Sequence, residues 1–455
     1  MDNTPSPKVQ RATCMPAVVP QRLFAWYLAD PAAPALVGEI QRLGNGDASL
    51  RYANSWVASG FPLSEDMPLR DQTYSPMHRR NREPAAAGAL DDARPDRWGE
   101  KVNRYLHKRG TTLIDNLYLA GDDRFGALGV SASETQYQPF DRRPLPRLED
   151  VLELADVLAV IQSGEGELSA QRRQLASAGG SLGGAKPKAA ISIDGEEWIV
   201  KFFDGEHWDQ PLIEHACMTL AGQAGMNVAQ TRVIHLPTEN AIAVRRFDRV
   251  ADGRRIHSVS ASTVLRAATP PGEYPAYGYP HLARRLRAIG GVRRLEDDLR
   301  ELFRRMIFNI LIANTDDHEK NHAVTYELCG GAPAVNLSPA YDVVTTGSGA
   351  VDHEFMIADD VVAPDLESAV SVHRDFLLDE QQARQIVSEV VCVVDAWRVH
   401  FLTVGVAEAD IESLAEFIDT EDLLAQRERH RGPPCEQHSG QAASKTVTPR
   451  IFRGG

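Results

Sequence analysis

Leu295 to Ala313 carries apolar side chains at Leu295, Leu299, Leu302, Phe303, Met306, Ile307, Ile310 and Leu311, and runs straight into Asn314-Thr-Asp-Asp-His-Glu-Lys-Asn321. Spacings of three and four residues put those side chains on one face of a helix. Any fold that contains this stretch must bury a long rod and hold the polar block at its C-terminal end. Seven of the eight residues in that block carry a charge, an amide or an imidazole. A solvated surface loop accounts for charge, but not for its arrival directly after the cleanest apolar helix of the chain. A rigid scaffold that presents polar groups at one place is how sites are built.

The spacing inside the block narrows the chemistry. Asp316 and Asn321 stand as Asp-x-x-x-x-Asn, the spacing of the protein-kinase catalytic loop, where the Asp accepts the proton of a substrate hydroxyl and the Asn binds magnesium. Downstream, Asn336-Leu-Ser-Pro-Ala-Tyr-Asp342 ends on a second carboxylate, placed as a metal-binding Asp of a kinase is. Phosphoryl transfer asks a protein for positioning and charge neutralisation rather than covalent help. Mg²⁺ takes hard oxygen ligands, which Asn321 and Asp342 supply. A base ionised at neutral pH suits Asp316, and His318 and Lys320 offer positive charge to phosphates.

Upstream elements come in matching order. Ala178-Gly-Gly-Ser-Leu-Gly-Gly-Ala-Lys-Pro-Lys188 is a glycine-rich loop before a strand; such loops let backbone N–H groups approach phosphate oxygens. It lacks the Gly-Lys-Ser/Thr ending of a Walker A loop, and alone it reads more readily as a flexible linker. Ala189–Ile193 and Trp198–Phe203 flank Asp194-Gly195, a hairpin signal. On the second strand Trp198, Val200 and Phe202 share one face, and Ile199, Lys201 and Phe203 the other. A lysine amid such neighbours needs an anion or must reach water. The following helix, Pro211 to Ala224, carries Glu214 as a candidate ion-pair partner.

The pattern predicts an α+β chain with a protein-kinase-like two-lobe fold behind an N-terminal α+β subdomain. Residues 1–22 read as a disordered N-terminus, and 23–147 as the subdomain, with strands at Leu23–Leu28 and Ala35–Ile40 and a helix at Pro95–Arg109. Residues 148–254 read as a small lobe with glycine loop, lysine and hinge. Residues 255–426 read as a mostly helical large lobe, with further helices at Glu380–Val404 and Ala407–Gln426. Residues 427–455 read as a disordered tail. The formal net charge of −14 repels phosphate backbones, so direct nucleic-acid binding is not expected. Five scattered cysteines without a C-x-x-C pair argue against a structural zinc site. No run approaches the roughly 20 apolar residues that cross a bilayer, and the polar N-terminus lacks a signal-peptide plan. A cytoplasmic protein without membrane contact is expected.

These motifs resemble the HipA family, serine/threonine kinase toxins of bacterial type II toxin–antitoxin modules. Beside the glycine loop and the two acidic motifs, Arg246-Phe-Asp-Arg249, Arg94-Pro-Asp-Arg-Trp-Gly99 and Ala120-Gly-Asp-Asp-Arg-Phe-Gly-Ala-Leu-Gly129 carry the likeness. It covers roughly residues 23–424. The resemblance implies ATP and Mg²⁺ as cofactors. Asp316 would be the proton acceptor, and Asn321 and Asp342 the magnesium ligands. Gly183, Gly184, Ala185, Lys186, Pro187 and Lys188 would form the phosphate loop, and Lys201 would bind ATP. Arg245, Arg246 and Phe247 would be the hinge beside adenine. His318, Glu319, Lys320 and Tyr341 would complete the nucleotide site. Ser181 would be an inhibitory autophosphorylation site, because a group of about −2 charge repels ATP phosphates. The implied partners are a protein substrate, an aminoacyl-tRNA synthetase in the best-known relatives, and a small helix-turn-helix antitoxin. Arg245 departs from members with an acidic residue there.

Two other readings stay open on sequence. One is a catalytically silent kinase-like module that only binds a helix-turn-helix repressor; retention of Lys201, Asp316, Asn321 and Asp342 together argues against it. The other is a metal-dependent hydrolase with Asp316, Asp317 and His318 as ligands, which gives the glycine loop and Lys201 no role.

Overall fold

The computed structural model describes residues 19–20, 22–78, 83–108, 112–329, 332–347 and 352–432. Most of both expected disordered ends therefore lies outside the described residues.

The chain begins with a five-stranded antiparallel sheet in the order β4-β3-β2-β1-β5. Its strands are β1 (Leu23–Tyr27), β2 (Ala35–Arg42), β3 (Ala48–Tyr52), β4 (Thr73–Tyr74) and β5 (Leu128–Ser131). The two-residue period of β1 is used on both faces. Leu23 and Ala25 enter the main core, while Phe24, Trp26 and Leu28 pack with Tyr137 in a separate cluster.

A second antiparallel sheet, β6-β7-β9-β8, follows, from β6 (Lys188–Ile193), β7 (Glu196–Phe202), β8 (Thr231–His235) and β9 (Asn240–Arg245). The Asp194-Gly195 turn forms as expected, with both residues at positive φ, 55° and 82°, the primed geometry that a two-residue hairpin requires. Trp198, Val200 and Phe202 pack against Val151, Leu154 and Leu158 of the Val151–Ser163 helix. The opposite face, with Ile242 and Val244, meets the Gln210–Gln223 helix. That helix is started by Asp209, whose carboxylate accepts from the Leu212 N–H at 3.1 Å, with Pro211 in its first turn.

The remainder is built on the Leu295–Leu311 helix. Leu299, Leu302, Phe303, Met306, Ile307, Ile310 and Leu311 are all fully buried, packed among the Tyr279–Ile289 and Glu380–Val394 helices. The helix stops abruptly. Asn314 N–H bonds the Asn309 carbonyl at 3.0 Å, Ala313 N–H bonds Ile310 at 3.2 Å, and Ala313 turns left-handed at φ 52°. This is a Schellman closure without glycine, and it swings Asn314 and the polar block off the rod.

Four expectations for this part need correction. A three-stranded sheet, β10 (His257–Ser260), β11 (Ala323–Cys329) and β12 (Ala332–Leu337), lies within the lobe read as mostly helical; β10 pairs with β11 across more than sixty residues of sequence, His257 opposite Tyr326, which no local window reveals. The stretch 380–404 is two helices, Glu380–Val394 and Trp397–Val404. The stretch 407–426 is also two, Glu408–Ile418 and Glu421–His430, because the Thr420 hydroxyl accepts from Leu423 N–H at 3.2 Å and starts a new helix. The second runs past the expected tail boundary, with Arg427 buried against Asp419. Among the described residues no helix is long and apolar enough to cross a membrane.

Candidate active site

Lys201 sits on β7 opposite Ile242 of β9, facing the Gln210–Gln223 helix. Its ammonium lies 2.6 Å from Glu214 and 2.5 Å from Asp342. Residues more than a hundred positions apart thus meet in one ion triad. Burial alone would lower the Lys201 pKa, but Asp342 and Glu214 outweigh it and hold the amine well above the ordinary lysine range. Burial likewise opposes ionisation of Asp342, and Lys201 and Lys188 overcome it, so this carboxyl falls far below the usual range. Glu214 goes the other way: burial raises it more than Lys201 lowers it. Asp342 has φ 59°, a left-handed position that Asp tolerates better than most residues.

Asp316 is exposed, and close enough to Asp342 for the two carboxylates to repel each other. Its carboxyl is raised by partial desolvation, with His318 opposing and Glu354 and Asp342 reinforcing. Its backbone N–H donates to the Thr346 hydroxyl at 3.1 Å. Asn321 is buried, and its side-chain amide donates to the Asp316 carbonyl at 3.3 Å. His318 Nδ1 accepts from Lys320 N–H at 3.1 Å. The Tyr341 hydroxyl donates to the Lys320 carbonyl at 2.8 Å, and its ring stacks on Phe247 with centroids 5.4 Å apart. Glu319 is buried, and its carbonyl accepts from Ser262 N–H.

In the glycine loop Gly183, Gly184, Ala185 and Lys186 are exposed, and Pro187 is buried. Lys186 pairs with Glu206 at 2.7 Å. Lys188 is directly opposite Lys201 in the β6–β7 ladder, and burial together with Lys201 pushes its amine down to about 8. Gly184 has φ 76°, and a Cβ there would stand 2.5 Å from the Lys188 ammonium, so a side chain would collide with the amine. Ser181 is 6% exposed and packed inward.

The expected hinge is divided. Phe247 faces Tyr341, but Arg245 ion-pairs with Glu196, and Arg246 is buried between Asp123 and Asp248. Both arginine side chains are committed to protein carboxylates.

Several contacts near the site join motifs that the sequence showed only separately. Lys320 pairs at 2.7 Å with Asp96, the residue that precedes the Arg97–His107 helix of the N-terminal subdomain. From the same helix, Trp98 N–H bonds the Gly184 carbonyl at 2.9 Å and its indole N–H bonds Lys188 O at 2.8 Å. Asp248 accepts from Gly126 N–H at 2.7 Å while holding Arg246 and Arg249. These contacts cross scores of residues and follow from no local pattern. Asp317, offered above as a metal ligand of a hydrolase, points away from Asp316 into the core and is bonded to Tyr279 and His322.

The fold and this cluster define a protein-kinase-like protein of two lobes behind an N-terminal α+β subdomain. The HipA N-terminal domain model matches residues 32–131 and the HipA-like C-terminal domain model matches 180–397; the chain belongs to the HipA family. Among relatives, the Sinorhizobium fredii protein Y4mE, which carries a provisional kinase name, is 27% identical over 68% of this chain and 75% of its own length. A second such protein, Y4dM, is 32% identical, but the match spans only 38% of it. The serine/threonine-protein kinase toxin HipA of Shewanella oneidensis is 26% identical over 68% of this chain and 73% of that protein. Among solved structures, the Shewanella oneidensis HipA–HipB–operator DNA complex aligns with a TM-score of 0.59 at 19% identity, covering 89% of this chain and 97% of that one. At that identity the likeness establishes the fold.

Proposed function

We propose that the protein is an ATP- and Mg²⁺-dependent serine/threonine protein kinase that acts as a HipA-like toxin. The observation that carries this reading is the triad of Lys201 with Glu214 and Asp342, at 2.6 and 2.5 Å, beside Asp316. It is the arrangement a kinase needs to hold nucleotide phosphates. Asp316 takes the proton of the acceptor hydroxyl, while Lys201, His318 and the loop from Gly183 to Lys188 hold the phosphates. The donor chemistry at Asn321 and Asp342 fits Mg²⁺: both offer hard oxygens, and the Asp342 side chain remains 39% exposed with one oxygen on Lys201. The ion would neutralise charge on the phosphates.

The acceptor is a protein hydroxyl. By family likeness an aminoacyl-tRNA synthetase is the candidate target, with arrest of translation and growth as the outcome. Ser181 is the candidate for inhibitory autophosphorylation; being 6% exposed, it must leave its packed position to be modified. A small helix-turn-helix antitoxin is the expected partner, since the Shewanella oneidensis relative is crystallised with HipB. Operator DNA is part of that complex, so the acidic balance of this chain does not decide whether it touches nucleic acid. The hydrolase reading loses its ligand set, because Asp317 is turned inward.

Incubation with labelled ATP and Mg²⁺, wild type beside Asp316→Ala, tests the proposal. Label should enter protein only with the wild type, and the exposed Asp316 can be replaced with thermal stability within about 0.5 kcal/mol. Equal transfer by both chains sinks the assignment.

A further inference from the structure

Asp317 has no part in the transfer chemistry described above, yet it is the neighbour of Asp316 and is 2% exposed. An isolated carboxylate at that depth is costly unless it is paired and hydrogen-bonded. It is both. The Tyr279 hydroxyl donates to Oδ2 at 2.5 Å, and His322 Nε2 lies 3.1 and 3.2 Å from the two oxygens. Burial would raise this carboxyl; His322 first, and then Tyr279, outweigh that and keep it below the usual range.

The partners come from three elements. Tyr279 opens the Tyr279–Ile289 helix. Its hydroxyl also accepts from the Asn309 amide at 2.8 Å, and Asn309 in turn accepts from the Asn314 amide at 3.1 Å. His322 leads into β11 and stacks on Phe355 with centroids 4.8 Å apart; the Tyr279 ring meets both edge-on. The loop backbone is fastened as well. Thr315 O accepts from Glu354 N–H at 3.2 Å, and His322 O from Ala261 N–H at 2.8 Å. Asp316 and Asp317 are consecutive, so anchoring one inward fixes the direction of the other.

We propose that Asp317 is a positioning residue. By tying the loop inward to Tyr279 and His322, it turns Asp316 outward and holds it in line with the acceptor hydroxyl. This rests on the kinase reading above. A group held within a fraction of an ångström contributes to the rate and not to ground-state nucleotide binding, so its loss falls on kcat.

The decisive variant is Tyr279→Phe, which keeps the ring on His322 and Phe355 and removes one hydroxyl. Its kcat should fall about 10- to 100-fold with the KM for ATP within about twofold of the wild type. Amide hydrogen exchange across 313–322 should quicken. Asp317→Asn, which keeps an acceptor for Tyr279, should retain more activity than Asp317→Ala, with thermal midpoints checking that each variant folds. A Tyr279→Phe chain with wild-type kcat and wild-type loop exchange overturns the proposal, as does a loss confined to KM. A wild type that transfers no phosphate overturns the kinase reading instead, and the exchange measurement then decides by itself whether Tyr279 fastens the loop.

Discussion

Replacing Lys201 by methionine keeps the length of the side chain and removes its charge, which strands two carboxylates. Glu214 is 6% exposed on its side chain and Asp342 39%, so most of the penalty falls on Glu214. Removing one partner of a buried ion pair costs about 3–5 kcal/mol, because the other charge is left uncompensated. A solvated pair would cost less than about 1 kcal/mol. The two cases also differ in pH dependence. Burial already raises the Glu214 carboxyl in the wild type, and without Lys201 it rises further. A carboxyl whose folded pKa exceeds its unfolded value binds its proton preferentially in the folded state, so stability falls as pH rises through that range. The variant should therefore be most destabilised near pH 8 and partly recover near pH 5. Denaturant titrations at both pH values measure this. A loss below about 1 kcal/mol, equal at pH 5 and pH 8, would show that Lys201 is merely solvated and refute the triad as a buried electrostatic unit.

Two further outcomes are expected. Asp248→Asn should cost about 3 kcal/mol or more, since Arg246 and Arg249, 2% and 4% exposed on their side chains, lose the carboxylate between them; a change under about 0.5 kcal/mol by denaturant titration would contradict this. His257 is 1% exposed, and burial pushes its pKa down to about 4. The unfolded chain, with an ordinary histidine near about 6.5, binds the extra proton in between, so stability should fall by up to about 3 kcal/mol as pH drops from about 6.5 to about 4. His257→Phe should flatten that slope by one proton, and an unchanged slope would exclude His257 as its source.

What could be read in advance was local. The three- and four-residue rhythm of Leu295 to Leu311 needs one helix to be seen, and the Asp194-Gly195 turn needs two residues. The alternation around Lys201 separated its face from that of Trp198, and Glu214 on the next helix proved to be its partner. What could not be read depended on distant chain. Asp316 and Asp317 are chemically identical neighbours, and only Tyr279 and His322 decide which one faces solvent. The sheet of β10, β11 and β12 escaped because its first strand waits for a partner from far downstream. The tie of Asp96 to Lys320 has no counterpart in spacing or composition, because a single surface-type ion pair carries no pattern.

The guanidiniums of Arg246 and Arg249 lie among carboxylates and carbonyls drawn from both the first sheet's closing loop and the second sheet: Asp123, Arg124 O and Gly126 O on one side, Asp248 and Glu197 on the other. A polypeptide that started at residue 148 would expose two buried cations to a half-empty socket. Excising the leading segment would therefore damage the second sheet itself, and a split gene for this fold would have to re-form that socket between separate chains before either half could work.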